Sequence, residues 1–348
     1  MLTLSDASYD TKEILKWGGL VIAGLVILIV LIRMLLIAKE AIFPTPPPKP
    51  TVLFGKLEPQ VFPKNVTDQS SLTYSVNTLS GELPGLTDQA KVFTIQTYTP
   101  DLLGLSRAKQ AAVQTGFTNE PSKISDTLFE WTDPDTSQIT RKLTMDTVDF
   151  NFNITSNYSA ITTFTSGQGL PSQDQAVSDA QNLLTNLNSL PQDIDQTKTQ
   201  ANLLTFTNGS LTPAINFSHA QVIRVVFHQQ DIDTIPIYYE DPNSSNINVL
   251  VGSNNKILEA NYIHQTTTED FSTYPLKTTQ QAFAELQQGK GYIAAYDGTS
   301  KNIPLNNVFL AYYIGSKPQQ YLMPIFVFTK DTTFEAYVPA VTDEWINK

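Results

Sequence analysis

The chain has 348 residues, 41% of them apolar, with no cysteine and with 22 Lys/Arg against 33 Asp/Glu. Without cysteine there are no disulfides, Fe–S clusters, thiolate zinc sites or cysteine nucleophiles. Beyond residue 50 there are 17 basic and 29 acidic residues, a net charge of −12; this field repels phosphate backbones and anionic lipid headgroups, which disfavours nucleic-acid binding and polybasic attachment.

Taken from the N-terminus, Gly18 to Ala38 is an apolar run broken only by Arg33. As a helix it spans about 31 Å, the thickness of a bilayer's hydrocarbon core. Trp17 at one end and a snorkelling Arg33 near the other suit the headgroup level. No A-x-A cleavage site follows, so the run reads as an uncleaved signal anchor. Arg33, Lys39 and Lys49 after the run outnumber Lys12 and Lys16 before it, which favours a C-terminus inside. The short N-terminal tail and the acidic, Asn/Thr/Ser-rich remainder favour the reverse. The expectation is therefore a single-pass plasma-membrane protein with a cytoplasmic N-terminus and an extracytoplasmic C-terminal region. Pro44-Thr-Pro-Pro-Pro-Lys-Pro50 follows as a stiff polyproline II spacer.

The remainder repeats one order, a helix and then strands. A helix from Ser106 to Thr115 ends at Gly116, with Ala108, Ala111 and Ala112 on one face. Strands are expected over Thr127–Thr132, Ile139–Met145 and Val148–Ile154, the last alternating apolar and polar residues. Next, Ser172 and Gln175 form a capping-box pattern ahead of Ala176, Val177, Ala180, Leu183, Leu184 and Leu187 at helical spacing. Strands follow at Leu203–Phe206, Val222–His228, Ile235–Glu240, Ile247–Val251 and Ile257–His264. A third helix over Thr279–Gln288, stopped by Gly289, precedes strands over Val308–Ile314, Tyr321–Phe328 and Phe334–Pro339. The expected fold class is α+β: an N-terminal transmembrane helix followed by two or three modules, each with one helix packed on an antiparallel β-sheet. The expected boundaries are a tail over 1–17, the transmembrane helix over 18–38, a spacer and lead-in over 39–66, and modules over 67–170, 171–270 and 271–348.

The third module, with Tyr274-Pro-Leu-Lys-Thr-Thr-Gln-Gln-Ala-Phe-Ala, Val308-Phe-Leu-Ala-Tyr-Tyr and Tyr321-Leu-Met-Pro-Ile-Phe-Val-Phe, is similar to the YycH/YycI family and to PepSY-like modules over about residues 274–340. The resemblance implies an extracytoplasmic domain behind one transmembrane helix, which modulates a membrane sensor kinase without catalysing a reaction. It assigns no binding residue.

Catalytic patterns are few. Ser106-Arg-Ala-Lys109 is an S-x-x-K, and Ser75-Val-Asn77 and Ser244-Ser-Asn246 satisfy S-x-N. There is no K-T-G, and Ser75 precedes Ser106 in the wrong order for a penicillin-interacting enzyme. Ser106 reads instead as a helix N-cap. The three histidines, His219, His228 and His264, lack ligand spacing, and no G-x-S-x-G, H-E-x-x-H or Walker A is present. The acidic pairs Asp133/Asp135, Asp193/Asp195, Asp231/Asp233 and Glu240/Asp241 read as solvated turns rather than EF-hand ligands. Sequons at Asn65, Asn153, Asn157, Asn208, Asn216 and Asn243 follow from composition. No catalytic, cofactor-binding or metal residue is assigned. The function expected is a membrane-anchored, non-catalytic module that binds or regulates another envelope protein, with a hydrolase or an appendage subunit as the alternatives.

Overall fold

A computed structural model describes residues 17–18, 21–35, 48–65, 69–134, 139–207 and 209–347. Residues 1–49 and 50–348 are separate compact units. In the first, residues 17–18 and 21–35 are helical, the latter as helix α1. Among the described residues no helix is long and apolar enough to cross a membrane. This corrects the single-pass anchor over Gly18–Ala38 and the plasma-membrane placement built on it; residues 19, 20 and 36–38 of that stretch lie outside the described ones.

Residues 50–348 are mostly β. The largest sheet has nine strands in the order β3 (Ser122–Lys123), β4 (Leu128–Thr132), β5 (Arg141–Asp146), β6 (Phe152–Ser156), β12 (Ile257–Tyr262), β11 (Ile247–Val251), β9 (Val222–Phe227), β7 (Gln200–Thr207) and β8 (Ser210–Pro213). Every pairing in it is antiparallel. Short polar turns set several of its reversals. Between β5 and β6, Asp146 and Asp149 accept the N–H groups of Val148 and Asn151, and Phe150 adopts φ +59°. The strand expected from Val148 therefore starts at Phe152, because these Asx turns consume its first residues.

Two helices, α2 (Gly104–Gln114) and α4 (Gln173–Asn186), pack on this one sheet, and the single turn α3 (Thr162–Thr165) lies between them in the chain. Their small faces, Ala108, Ala111 and Ala112 from α2 and Ala176 and Ala180 from α4, join Trp131, Leu143, Ile154, Val225 and Val249 in a single core. Alanine on the helix lets it lie close to the large residues of the strands. Ser172 caps α4 by accepting the Gln175 N–H at 3.2 Å, as its position predicts. The Gln175 side chain turns to Asp179 instead of completing the capping box. For α2 the N-cap is Leu103, with no side-chain cap. Asp101 accepts the Leu103 N–H at 2.7 Å, so the helix begins before Ser106 and Ser106 is not its cap.

The second sheet has seven strands. β10 (Ile237–Tyr238), β16 (Asn307–Tyr313), β17 (Tyr321–Lys330), β18 (Phe334–Pro339) and β14 (Tyr292–Tyr296) follow one another, and β2 (Gln89–Ile95) bridges β17 to β13 (Thr267–Pro275). Helix α5 (Thr279–Gln287) covers one face through Ala282 and Leu286, and its capping box uses Thr278 and Gln281. β17 is buried on both faces: Phe326 and Phe328 lie in the core under α5, and Ile325 and Val327 in a tyrosine-rich core on the other side. A two-stranded parallel sheet joins β1 (Thr73–Val76) to β15 (Asn302–Leu305).

This arrangement corrects the expected α+β modules with one helix on each sheet. Two of the helices share one sheet because β6 pairs with β12, Ile154 opposite Ala260, which fuses strands from 122–156 and 200–262 over a common core. β2 goes the other way and pairs with β13 and β17. Of the Pro44–Pro50 spacer only 48–50 are described; from Thr51 the chain is held to β13, Val52 N–H to Thr273 carbonyl at 3.0 Å and Leu53 N–H to Ser272 Oγ at 2.7 Å.

Candidate functional site

A cleft of about 440 Å³ opens between residues 58–63 and the 315–320 loop that joins β16 to β17, with Glu240, Tyr321 and Met323 completing its walls. Residues 58–63 form a strap secured beyond each end. Leu57 N–H donates to the Trp345 carbonyl and Asn347 N–H to the Leu57 carbonyl, both at 2.8 Å. At the other end Asn65 accepts the Ile293 N–H at 2.7 Å and donates to the Gly291 carbonyl at 3.1 Å. Between these ties, Pro59 and Pro63 have no N–H to donate. Among the described residues, the backbone of 58–63 makes no backbone hydrogen bond. Phe62 fastens the strap from below, stacked on Tyr292 with ring centroids 5.5 Å apart and edge-on to Tyr313 at 4.8 Å. Val61 points outward and is 65% exposed.

The opposite wall is held by buried amides. Asn246 donates to the Gly315 carbonyl at 2.9 Å; Gln265 donates to the carbonyls of Gly315 at 3.0 Å and Lys317 at 3.2 Å and accepts the Gln319 N–H at 3.0 Å. Glu240 accepts from Ser316, both N–H at 2.8 Å and Oγ–H at 2.7 Å. Such a loop is preorganised, since its turns are satisfied from within the core. Two polar groups beside the cleft are not satisfied. Both amide atoms of Gln60 and the hydroxyl of Tyr313 are buried without a hydrogen-bond partner. A Cβ on Gly315, which lines the cleft, would stand 3.4 Å from that hydroxyl. Burial, and then the charge of Glu240, raises the Tyr313 pKa well above its ordinary value, so the hydroxyl stays protonated.

A second polar cluster centres on His264. Its Nε2 contacts both Asp193 oxygens, at 2.9 and 3.0 Å, and its Nδ1 is 3.3 Å from Thr266 Oγ1. Gln229 also donates to Asp193, at 2.8 Å. Burial pushes the Asp193 carboxyl up, but the hydrogen bonds from His264 and Gln229 and the His264 charge outweigh it and hold the group below the usual range. Both ring nitrogens are therefore engaged. The dyad ties the 188–193 loop to the end of β12 between two cavities of about 330 and 310 Å³. A third cavity, of about 260 Å³, is lined in part by Lys198, His228, Tyr238 and Glu335. There burial, with the Asp241 charge, pushes the Glu335 carboxyl up to about 7, against a hydrogen bond from Tyr337 at 2.8 Å.

The remaining sequence candidates fall apart in space or serve the fold. Ser106 is exposed on α2, while Lys109 pairs with Glu120. Ser75 lies on β1 and Asn246 supports the 315–320 loop. His219 bonds Asn216 at 2.7 Å, and His228 contacts the Lys198 carbonyl at 3.1 Å, its pKa lowered chiefly by burial. Asp133 pairs with Arg141, Asp195 caps a turn, and Asp231 and Asp233 pair with Lys198 and Lys91; Asp135 and Asn208 lie outside the described residues. No group of three or more metal-ligating side chains occurs among the described residues. Sequence reasoning missed Gln60, Phe62, Gln265 and Gln319. The prolines flanking Gln60, Val61 and Phe62 were the one local sign of a segment unable to pair fully in a sheet.

No protein-family model matches the chain, and no curated protein is similar to it.

Proposed function

We propose that residues 50–348 form a non-catalytic module that binds and regulates a partner protein, with the 58–63/315–320 cleft as its contact. The observation that carries this reading is the pair of buried, unpartnered groups, the Gln60 amide and the Tyr313 hydroxyl, beside the 440 Å³ cleft. Leaving such groups unpaired costs about 1–3 kcal/mol each, a cost that a partner supplying hydrogen bonds removes. Apolar walls with a few fixed polar groups are the usual composition of a binding cleft. A hydrolytic role fits less well, because His264 spends Nε2 on Asp193 and, among the described residues, the hydroxyl beside its Nδ1, that of Thr266, stands at 3.3 Å. The net charge of −12 beyond residue 50 directs the choice toward protein rather than nucleic acid.

Photo-crosslinking in cells tests it. A benzoylphenylalanine at Val61 or Lys317 of the full chain is expected to trap one and the same protein, and the same probe at Ile215, 90% exposed on the nine-stranded unit's surface, is not. Equal trapping at all three positions, or none at the first two, overturns the proposal.

A further inference from the structure

We infer that the cleft takes an extended basic peptide segment of the partner as an added strand along residues 58–63; this rests on the partner-binding reading above. Three consecutive N–H groups, those of Gln60, Val61 and Phe62, lie between two prolines with no backbone hydrogen bond among the described residues, and neither do the carbonyls of 58–63. The strap is nonetheless fixed on both sides of this run, at Leu57 and at Asn65, with Gln60 and Phe62 partly buried and Val61 exposed between them. A tethered run of unpaired main-chain groups is the template that strand addition uses: main-chain hydrogen bonds supply affinity, and alternate side-chain pockets supply specificity.

The chemistry of the walls narrows the occupant. A primary amide donates and accepts at once, as a peptide group does, so the orphaned Gln60 side chain complements main chain better than it complements an anion or a hydrocarbon. Tyr321 and Met323 offer apolar surface for one row of side chains. Glu58 and Glu240 line the cleft against the single cation Lys317, and the residues after 50 carry a net charge of −12. Charge complementarity thus selects lysine or arginine in the other row. The occupant is an extended segment in which apolar and basic residues alternate.

A fluorescent, end-blocked heptapeptide Val-Lys-Val-Lys-Val-Lys-Val, titrated against the full chain, serves as the probe. It is expected to bind, to slow amide hydrogen exchange over residues 58–63, and to lose about tenfold in affinity when alternate peptide nitrogens are methylated, because a methylated edge cannot pair. The same heptapeptide with glutamate for lysine is expected not to bind. The Gln60→Ala variant, with its fold checked by circular dichroism, is expected to weaken the Val/Lys peptide by several-fold. Equal binding of the methylated peptide, or no slowing at 58–63, overturns strand addition. If a partner still crosslinks at Val61 and Lys317 in that case, the binding module stands and only its mode falls; if no partner crosslinks there, the broader reading falls as well.

Discussion

The nine-stranded and seven-stranded sheets bury their residues by different logics. Much of the nine-stranded sheet is a meander: β3 to β6 pair with their sequence neighbours, as do β7 with β8 and β11 with β12. Its core is largely aliphatic and alanine-faced, and its buried charge is closed within one hairpin, where Arg141 donates to Asp133 at 2.6–2.7 Å and stacks over Phe117. The seven-stranded sheet gathers distant pieces, with β2 beside β13 and residues 51–53 on β13, and one of its faces is packed with Phe62, Tyr238, Tyr292, Tyr313 and Tyr337. Tyrosines bury apolar bulk but bring hydroxyls that need partners. The unpaired Tyr313 hydroxyl, the perturbed Glu335 and the open cleft are all on this side. The sheet built from local hairpins closes its ion pair within one hairpin and leaves single polar atoms unpaired, such as Ser156 Oγ and Arg224 Nε; the one assembled at long range leaves a whole amide, a tyrosine hydroxyl and an open cleft.

The largest effect expected tests the closed side. Asp133→Ala leaves the Arg141 guanidinium buried beside Phe117 and should cost about 3–5 kcal/mol, read as a fall in the denaturation midpoint with an unchanged m-value; a loss near zero would show that the pair is not what closes this hairpin.

Next comes Glu335→Gln on the open side. The folded carboxyl stands at about 7 against an ordinary 4.5, so the folded state holds a proton that the unfolded chain releases. The contribution of this one group is therefore fully present below pH 4.5, declines as pH rises toward 7, and is lost above it. The glutamine variant keeps an acceptor for Tyr337 and should be more stable than the parent by up to about 3 kcal/mol at pH 8, with no difference at pH 4. Urea melts at the two pH values check it, and a gain independent of pH would remove the carboxyl from the explanation.

A smaller effect has the same direction. Gln60→Met replaces an unpartnered amide by an apolar group of similar length, so it should stabilise the chain by about 1–2 kcal/mol while weakening partner capture at Val61. Stabilisation with undiminished capture would separate the amide from function. Smallest are the helix caps: Ser172→Ala on the nine-stranded side and Thr278→Ala on the seven-stranded side should each cost about 1 kcal/mol. Thermal melts read both, and the Thr278 loss is expected to be the larger, since its capping box is reciprocal whereas that of Ser172 is half-formed.

Which parts of this were legible follows from how far each interaction reaches along the chain. Helices α4 and α5 were readable because the cap, the periodic apolar face and the terminating residue all fall within about four turns. Strands β11 and β18 have the limits their apolar runs predict, and β9, β12, β16 and β17 differ at their ends by one or two residues. The strands that went unread, β1, β2, β3, β8, β13, β14 and β15, lie on sheet margins or have partners far off in the chain: β3 and β8 are the two edges of the nine-stranded sheet, Thr73 is paired with Asn302, and Ala90 with Tyr274. Their sequences, such as Thr-Thr-Glu-Asp-Phe-Ser-Thr-Tyr in β13, have little alternation of their own. The apolar run at 18–38 shows the converse limit. Hydropathy there matches a membrane span, yet among the described residues no helix is long and apolar enough to cross one.

By itself, then, the sequence determined the local elements, their caps and turns, and the acidic field that sets phosphate aside. These depend on side chains a few residues apart and on a simple sum of charges. Only the tertiary structure decided that α2 and α4 share one sheet, that β2 crosses to the other, and that Gln60 ends up buried without a partner beside an open cleft. Those outcomes depend on which distant surfaces bury the most apolar area together, a competition among all strands at once that no local pattern encodes.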